Sequence, residues 1–500
     1  MAKEDLSNPK GVALVISILE QSEIEMIADQ FGEVYAVMNG DGATMMGINS
    51  EEFQQWVFND MYDKGLSTNE SSIKNASKIL KYRALNKDRI DLSVRVAKLD
   101  DKILYDLGGK KYVEINKEGW SVQSTNQPPV FKRFKHQKPQ VVPMPGGTID
   151  QFFDLINLPD PGLRLLLKVY LVASFIPNIA HPVLMVYGTQ GSAKTTMCAL
   201  LKDLVDPSAL ETSGLISDNG QELIQTASHH WLLVLDNLTY IKESISDLLS
   251  RICTGGGVSK RVLYENDSDM IYNFKHIIVL NGITQVIHKP DLLDRALLIK
   301  LERISDDKRA TMKTIQQKFD EMKPMLLGAI FDAVSIAMKF HEQINTQSLP
   351  RMADFAQWGC AIAKAIGVEP EDFLNAYQVN VLLQTEEALD NSPVADAIKQ
   401  FMEDKLLWKG TPTKLYTELR KIAEDNKIEH SPGWSRSPQA LGRKLSELKP
   451  NLKIAGYEVE TGGKDNEGSR MIVIQNNNKV DSMTDEENIV PNEQPSTFDF

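Results

Sequence analysis

"HPVLMVYGTQGSAKTTM", residues 181–197, is the stretch whose reading decides the fold. An apolar run leads through a glycine-containing turn into a lysine and two threonines, and "KTTMCALLKDLV" continues as a helix with Met197, Leu200, Leu201 and Leu204 on one side. A bend from a buried strand into a helix aims several backbone N–H groups at one point, at the positive end of the helix dipole. Phosphate is the natural occupant. Lys194 is placed to reach the β- and γ-phosphates and Thr195 to hold Mg²⁺ through its hydroxyl. The usual cradle reads G-x-x-x-x-G-K-[ST]; here Ala193 stands where the second glycine belongs. Its methyl group is tolerable if the backbone there has negative φ and costs about 1–2 kcal/mol if it does not. The expected nucleotide contacts are Gly188, Thr189, Gln190, Gly191, Ser192, Ala193, Lys194, Thr195 and Thr196, with ATP and Mg²⁺ as cofactors.

Such a site needs a second strand ending in an acid. "HHWLLVLDN" (229–237) supplies it, with Asp236 expected in the Mg²⁺ shell beside Thr195. The next residue is Asn237, an amide that can orient water but cannot take its proton. A third strand, "FKHIIVLNG" (274–282), ends in Asn281, placed to contact the γ-phosphate or the attacking water. In "KPDLLDRALLIKL" (289–301), Arg295 sits in a short polar turn. It could reach a neighbouring subunit's γ-phosphate, or simply pair with Asp291 or Asp294.

These four pieces, in this order and spacing, resemble the AAA+ ATPase core of superfamily 3 and poxvirus-type primase-helicases, in particular phage and integrative-element ATPases. Those proteins carry a "TGG…(K/R)R-x-L-Y" segment between the second and third strands, and here it stands as "CTGGGVSKRVLYENDSDMIYNF" (253–274). The resemblance covers roughly residues 95–475, including "YDLGGKKYVEINKEGW". It implies catalytic roles for Lys194, Asp236, Asn237, Asn281 and Arg295, and a β-hairpin in the central channel of a hexamer with Lys260 and Arg261 facing single-stranded DNA. Two departures matter: Asn237 replaces an acid, and the hairpin tip "ENDSD" is acidic, so any grip on DNA must come from the stem.

The 500 residues suggest about three domains. An apolar fraction of 42% and a charged fraction of 25% are those of a globular protein. No apolar run of about 18 residues is evident, and "MAKEDLSNPKG" has no signal core. The expectation is a cytoplasmic protein of a bacterial or phage-infected cell, without a membrane partner. Cys198, Cys253 and Cys360 are too scattered for a disulfide framework or a zinc site. The net charge of −13 is uneven: Asn476–Phe500 carries one lysine against six acids, a net of −5. What matters for DNA is a local basic face rather than the total.

Residues 1–140 read as an accessory α+β domain, helical at "SEEFQQWVFNDMYDKG" and "NESSIKNASKILKYRAL" and period-two from Asp91 onward. In "KRFKHQKPQVVPMPGG" (132–147), Lys132, Arg133, Lys135 and Lys138 interleave with aromatic residues; the stretch either touches a phosphate backbone or is a solvated strand end. Residues 148–303 alternate helix and buried strand as the α/β core, 304–390 form a helical lid, and 476–500 are expected to be disordered. In 394–475, two helices with Thr-Pro and Ser-Pro starts precede strand, glycine turn and strand, the order of a winged helix. Arg436, Arg443 and Lys444 would meet a major groove, and Lys464 and Arg470 the backbone; a protein-docking role is the alternative.

The expected fold is therefore α/β: a P-loop ATPase core with a helical lid, an N-terminal accessory domain and a C-terminal winged helix. The expected function is ATP-dependent DNA unwinding or origin remodelling by a homo-oligomer, a hexamer, for replication of a phage or mobile element. The alternatives are a DNA-binding assembly switch or helicase loader with little hydrolysis, and a small-molecule kinase. The kinase lacks an obvious acceptor pocket.

Overall fold

The computed structural model describes residues 11–22, 24–38, 44–124, 131–214, 220–261, 269–272, 275–305, 307, 309–344, 350–390, 392–431, 433–464 and 470–479. The chain divides into two compact units, residues 1–286 with 299–377, and residues 287–298 with 378–500.

The first unit begins with α1 (Val12–Gln21), the antiparallel strands β1 (Ile24–Ala28), β2 (Val34–Met38) and β3 (Thr44–Gly47), and helices α2 (Glu51–Asp63) and α3 (Glu70–Leu85). The Ser50 and Asn69 side chains cap the last two helices by accepting from Phe53 N and Ser72 N. Phe53, Val57 and Met61 of α2, with Ile73, Ala76, Leu80 and Ala84 of α3, form the apolar stripes that close this core. The period-two stretch becomes an antiparallel meander of β4 (Val96–Leu99), β5 (Lys102–Gly108), β6 (Lys111–Asn116) and β7 (Gly119–Ser124), in sequential order. The boundary expected near residue 140 is not a break in packing. Tyr105 Oη donates to Val205 O (3.0 Å), its ring lies 5.1 Å from Phe175 and 5.5 Å from Phe331, and Trp120 Nε1 donates to Asp332 (2.9 Å).

Next come α4 (Pro161–Ala173), β8 (Val183–Tyr187), α5 (Lys194–Val205), α6 (Gly220–Ser228), β9 (Leu232–Leu238) and α7 (Glu243–Thr254). A hairpin of β10 (Val258–Arg261) and β11 (Asp269–Tyr272) leads to β12 (Ile277–Gly282), α8 (Pro290–Leu293) and β13 (Ala296–Lys300). The sheet order is β13-β8-β12-β9, and β12 runs parallel to both β8 and β9. Every residue of β8 and β12 is buried, as the unbroken apolar runs of a doubly covered parallel sheet require. All three cysteines are buried and free.

Helices α9 (Met312–His341), α10 (Ala353–Ala365) and α11 (Pro370–Asp390) follow. By length and composition α9 alone among the described residues is long and apolar enough to cross a membrane, a test that a buried core helix also meets. Its apolar face is instead used internally: Phe319, Leu326, Leu327, Ile330, Phe331 and Val334 are fully buried.

In the second unit, Asn380 of α11 caps both polar groups of a backbone position: it accepts from Leu298 N (2.9 Å) and donates to Leu298 O (2.7 Å). Beyond it lie α12 (Pro393–Met402), β14 (Leu407–Gly410), α13 (Pro412–Asp425), α14 (Pro438–Ile454), β15 (Tyr457–Lys464) and β16 (Arg470–Asn476). Thr411 and Ser437 cap α13 and α14 ahead of their N1 prolines. The strands form an antiparallel sheet in the order β14-β16-β15 over a core that includes Ile398, Leu415, Leu419, Leu445 and Ile474. Order extends past the expected end at 475: Asn476 Nδ2 donates to Met402 O (3.0 Å) and Asn477 N to Gly456 O (2.8 Å). The rest of the acidic tail, 480–500, lies outside the described residues.

Candidate active site

Parallel pairing brings the C-terminal ends of β8, β9 and β12 to one edge of the sheet, the place where open α/β sheets put their ligands. The loop after β8, Asp236 near the end of β9 and Asn281 near the end of β12 meet there. Gly188 and Gly191 have φ of +150° and +83°. A β-carbon on Gly188 would stand 2.2 Å from Leu301 O, so no other residue fits that position. Ala193 has φ +58° and ψ +32°, the left-handed conformation. This is the strained case, so the loop carries about 1–2 kcal/mol that glycine would not.

Lys194 is half-buried at the first position of α5, and its Nζ donates to Gly188 O (2.8 Å), Thr189 O (3.0 Å) and Ser192 Oγ (3.4 Å). Burial lowers its pKa, opposed by the nearby Asp236 carboxylate. Ser192 Oγ ties the turn by donating to Thr189 O (2.9 Å), whereas Thr189, Gln190, Gly191 and Thr195 are exposed. Thr195 Oγ1 donates to Asp236 Oδ1 (3.3 Å), and Asn281 Nδ2 donates to Thr195 Oγ1 (3.2 Å) and to Asp236 Oδ1. Asn281 Oδ1 is buried with no hydrogen-bond partner. Asn237 is exposed at φ +58°, and its N–H donates to Asp236 Oδ1 (2.7 Å).

Lysine, hydroxyl, carboxylate and amide thus converge where the sequence places them. Among the described residues no group of three or more His, Cys, Asp or Glu side chains could cage a metal. The Thr195–Asp236 pair suits Mg²⁺, which takes one or two protein ligands and fills its octahedron with water and phosphate oxygen. Beside it opens a cleft of about 300 Å³ lined by Gly214, Asn237, Thr239, Tyr240 and Lys242 among others, in which Asp236 is the only carboxylate among the described residues.

Sequence reasoning missed a strap across this loop. Leu301 N donates to Tyr187 O (2.8 Å) and Ile304 N to Gly191 O (3.2 Å), and Arg309 Nη2 lies 3.2 Å from where a β-carbon on Gly191 would project. Thr196 Oγ1 donates to Met312 Sδ (3.3 Å). No local pattern marks a segment that becomes important only by crossing another.

Also missed was a buried ionic cluster at the other end of α5. Lys202 donates to Asp206 Oδ2 (2.7 Å) and Leu232 O (2.6 Å), with His230 Nδ1 at 3.1 Å. Arg95 donates through Nε to Asp206 Oδ1 (3.0 Å), and through its other nitrogens to Asp106 O, Lys138 O and Pro207 O. Burial opposes ionisation of Asp206, but Lys202 and Arg95 outweigh it and hold the carboxyl well below its usual range.

Arg295 lies in the turn between α8 and β13, half-buried, and donates to Asp291 Oδ1 (2.9 Å) and Asp291 O (3.1 Å). Its carboxylate partner is partly exposed, and such pairs contribute only about 0–1 kcal/mol. Lys260 and Arg261 fall on β10, but their side chains, and residues 262–268 with most of the acidic tip, lie outside the described residues. In the second unit Arg436, Arg443 and Arg470 are exposed, Lys444 pairs with Glu447 (2.9 Å), and the Lys464 side chain lies outside the described residues.

The basic stretch 132–138 is no free phosphate contact. Lys132 pairs with Glu33 (3.0 Å), Arg133 forks onto Asp106 (2.8 and 2.7 Å), Lys135 pairs with Glu52 (3.3 Å) and Lys138 with Glu211 (3.6 Å). Phe131 is buried, and Phe134 stacks on His229 at 4.1 Å.

Residues 149–383 match the family model described as the actinomycete integrative conjugative element replication protein, and residues 394–488 match that of the AICE RepA C-terminal domain. No curated protein matches the chain. Among solved structures, the apo C-terminal region of NrS-1 (305–718) is similar at 14% identity and a TM-score of 0.40, over 93% of this chain and 99% of that one. JCV helicase is similar at 14% identity and a TM-score of 0.24, over 44% of this chain and 65% of that one.

Proposed function

We propose, from the premise that this chain belongs to the replication-protein family of actinomycete integrative conjugative elements, that it is an ATP-driven DNA-remodelling enzyme which opens duplex DNA for replication of such an element. The observation that carries the reading is the meeting of Lys194, Thr195, Asp236 and Asn281 at one sheet edge, below a strand-to-helix loop. Lys194 neutralises phosphate charge, and the loop N–H groups orient the anion. Thr195 and Asp236 would hold Mg²⁺, which supplies charge neutralisation between the β- and γ-phosphates. Asn281 moves between its present partners and the terminal phosphate, to which its amide N–H groups can donate. Arg295 of an adjoining protomer adds the last positive charge, which requires a ring, a hexamer in this reading. Lys260 and Arg261 track a single strand, and the C-terminal unit acts as a winged helix that docks duplex DNA.

A second reading is favoured by one observation: among the described residues Asp236 is the only carboxylate of its cleft, and the exposed neighbour is Asn237. An ATP-dependent assembly switch with little hydrolysis needs no better base.

ATPase activity with and without single-stranded DNA, measured beside native mass, tests both readings. Remodelling predicts DNA-stimulated turnover by an oligomer. Nucleotide binding is lost in Lys194→Ala. In Arg295→Ala, binding is kept and turnover falls about 10³-fold. Lys260→Ala with Arg261→Ala keeps basal turnover and loses stimulation. Oligomerisation on ATP and DNA without turnover selects the switch; a protomer indifferent to millimolar ATP sinks both.

A further inference from the structure

Helix α3 carries a basic stripe that the proposed catalytic cycle does not use. Between residues 71 and 87 the sequence has five basic residues, Lys74, Lys78, Lys81, Arg83 and Lys87, and no acid, in a chain of net charge −13. The helix buries Ile73, Ala76, Ser77, Leu80 and Ala84. At 100° per residue Lys74, Lys78, Lys81, Tyr82 and Leu85 then fall together on the opposite, outward side. Tyr82 is 70% exposed and Leu85 36%, and Ile79 beside them is 42% exposed. Among the described residues the Tyr82 hydroxyl has no hydrogen-bond partner, and most of its ring is bare. Lys74 pairs only with Glu70 of its own helix, a fully solvated contact of little weight. Among the described residues, Lys78 and Lys81 have no carboxylate partner. The three lysine positions are spaced about 6 Å and about 4.5 Å along the helix axis, so their side chains form one row.

We infer that this face of α3 binds single-stranded DNA, the lysines following the phosphate backbone and the Tyr82 ring stacking on a base. Positive charge selects a polyanion, and the exposed ring selects one with open base faces, which a duplex does not offer. The inference uses the proposed function only in choosing DNA as the polyanion; nucleotide hydrolysis and the ring have no part in it.

The test is fluorescence anisotropy of the full chain, without ATP, on a labelled mixed-sequence single-stranded oligonucleotide across a salt series. The triple variant Lys74→Ala, Lys78→Ala, Lys81→Ala is expected to bind about ten-fold more weakly, with a log K against log[salt] slope shallower by about 2. Tyr82→Ala is expected to lose about ten-fold, and Tyr82→Phe to bind as the wild type, because the ring and not the hydroxyl does the stacking. Lys74, Lys78 and Tyr82 are exposed and Lys81 is half-buried, so thermal unfolding should barely move and serves as the folding control. Affinity and salt slope equal to wild type in both the triple variant and Tyr82→Ala overturn the assignment. If Lys260→Ala with Arg261→Ala weakens binding in the same assay while the α3 variants do not, the hairpin reading stands and only the stripe falls. A peptide of residues 480–500 that binds the wild type but not the triple variant, with DNA affinity unchanged, assigns the stripe to the chain's own acidic tail instead and equally overturns it.

Discussion

Two lysines eight positions apart on α5 make opposite use of one helix. Lys194, at its first turn, is half-buried and bonded to backbone carbonyls and a serine hydroxyl of a loop that opens to solvent. Lys202, near the last turn, is 1% exposed and locked between Asp206, Leu232 O and His230. At the first end, the partners are weak and can be exchanged for a phosphate oxygen. At the second, every charge has a fixed counterpart, and Arg95 ties the cluster to the meander. A cation held by neutral acceptors near water is available for binding; one held by a buried carboxylate is structural. The two basic stretches differ likewise: each cation of 132–138 has a carboxylate from elsewhere in the unit, while among the described residues Lys78 and Lys81 of α3 have none.

The largest effect that would break this comparison concerns the locked end. Asp206→Ala leaves Lys202 and Arg95 buried without their counter-ion and should cost about 3–5 kcal/mol in urea unfolding, whereas Lys194→Ala should leave stability within about 0.5 kcal/mol. Equal losses at the two ends would erase the distinction.

An effect smaller for each group, though comparable when three are summed, is expected from pH. Burial pushes His181 and His276 down to about 4 and His230 to about 3. His181 Nε2 lies 2.9 Å from Ala173 O, and His276 Nδ1 2.7 Å from Ala227 O, so each neutral ring has a backbone acceptor. The unfolded chain takes up protons below about 6.5 that these folded rings refuse, so stability is full above that pH and declines as pH falls through the window toward 4. At pH 5 each ring should cost about 2 kcal/mol relative to pH 7, read from denaturant midpoints. A flat profile between pH 7 and 5 would contradict it. Asp206 does not contribute there, because its folded value lies below its unfolded one and its loss comes only at lower pH.

The smallest effect sharpens the working end. Ala193→Gly removes the left-handed strain at the cost of some unfolded-chain entropy, for a net gain of about 0.5–1 kcal/mol in the same unfolding assay. A loss instead would mean that the methyl group supports the loop.

The strands and the loop of the site were legible because each is a local pattern: an apolar run, a glycine turn, a helix, an acid or amide at a strand end. Asp236, Asn281 and Thr195 could be named from position alone, since parallel pairing brings equivalent strand ends together. The sign of φ at Ala193 was not legible, because it depends on how the loop closes rather than on the residue. Nor was the role of 132–138, whose four partners come from Glu33, Glu52, Asp106 and Glu211, far apart in sequence. Arg95 was hidden for the same reason: in "SVRVAK" it reads as an outward strand residue, yet it is 2% exposed.

The strap over the loop gives the molecule leverage. Leu301, Ile304 and Met312 hold the loop at Tyr187, Gly191 and Thr196, and Met312 opens α9, whose 30 residues span about 45 Å. A tilt of a few degrees at the near end of such a rod sweeps its far end through about 3–4 Å. That far half is fastened to the meander, with Ser335 donating to Asn116 O and Asp332 accepting from Trp120. The loop and the small sheet are thus tied to opposite halves of one helix, with Pro324, a position where helices bend, between them.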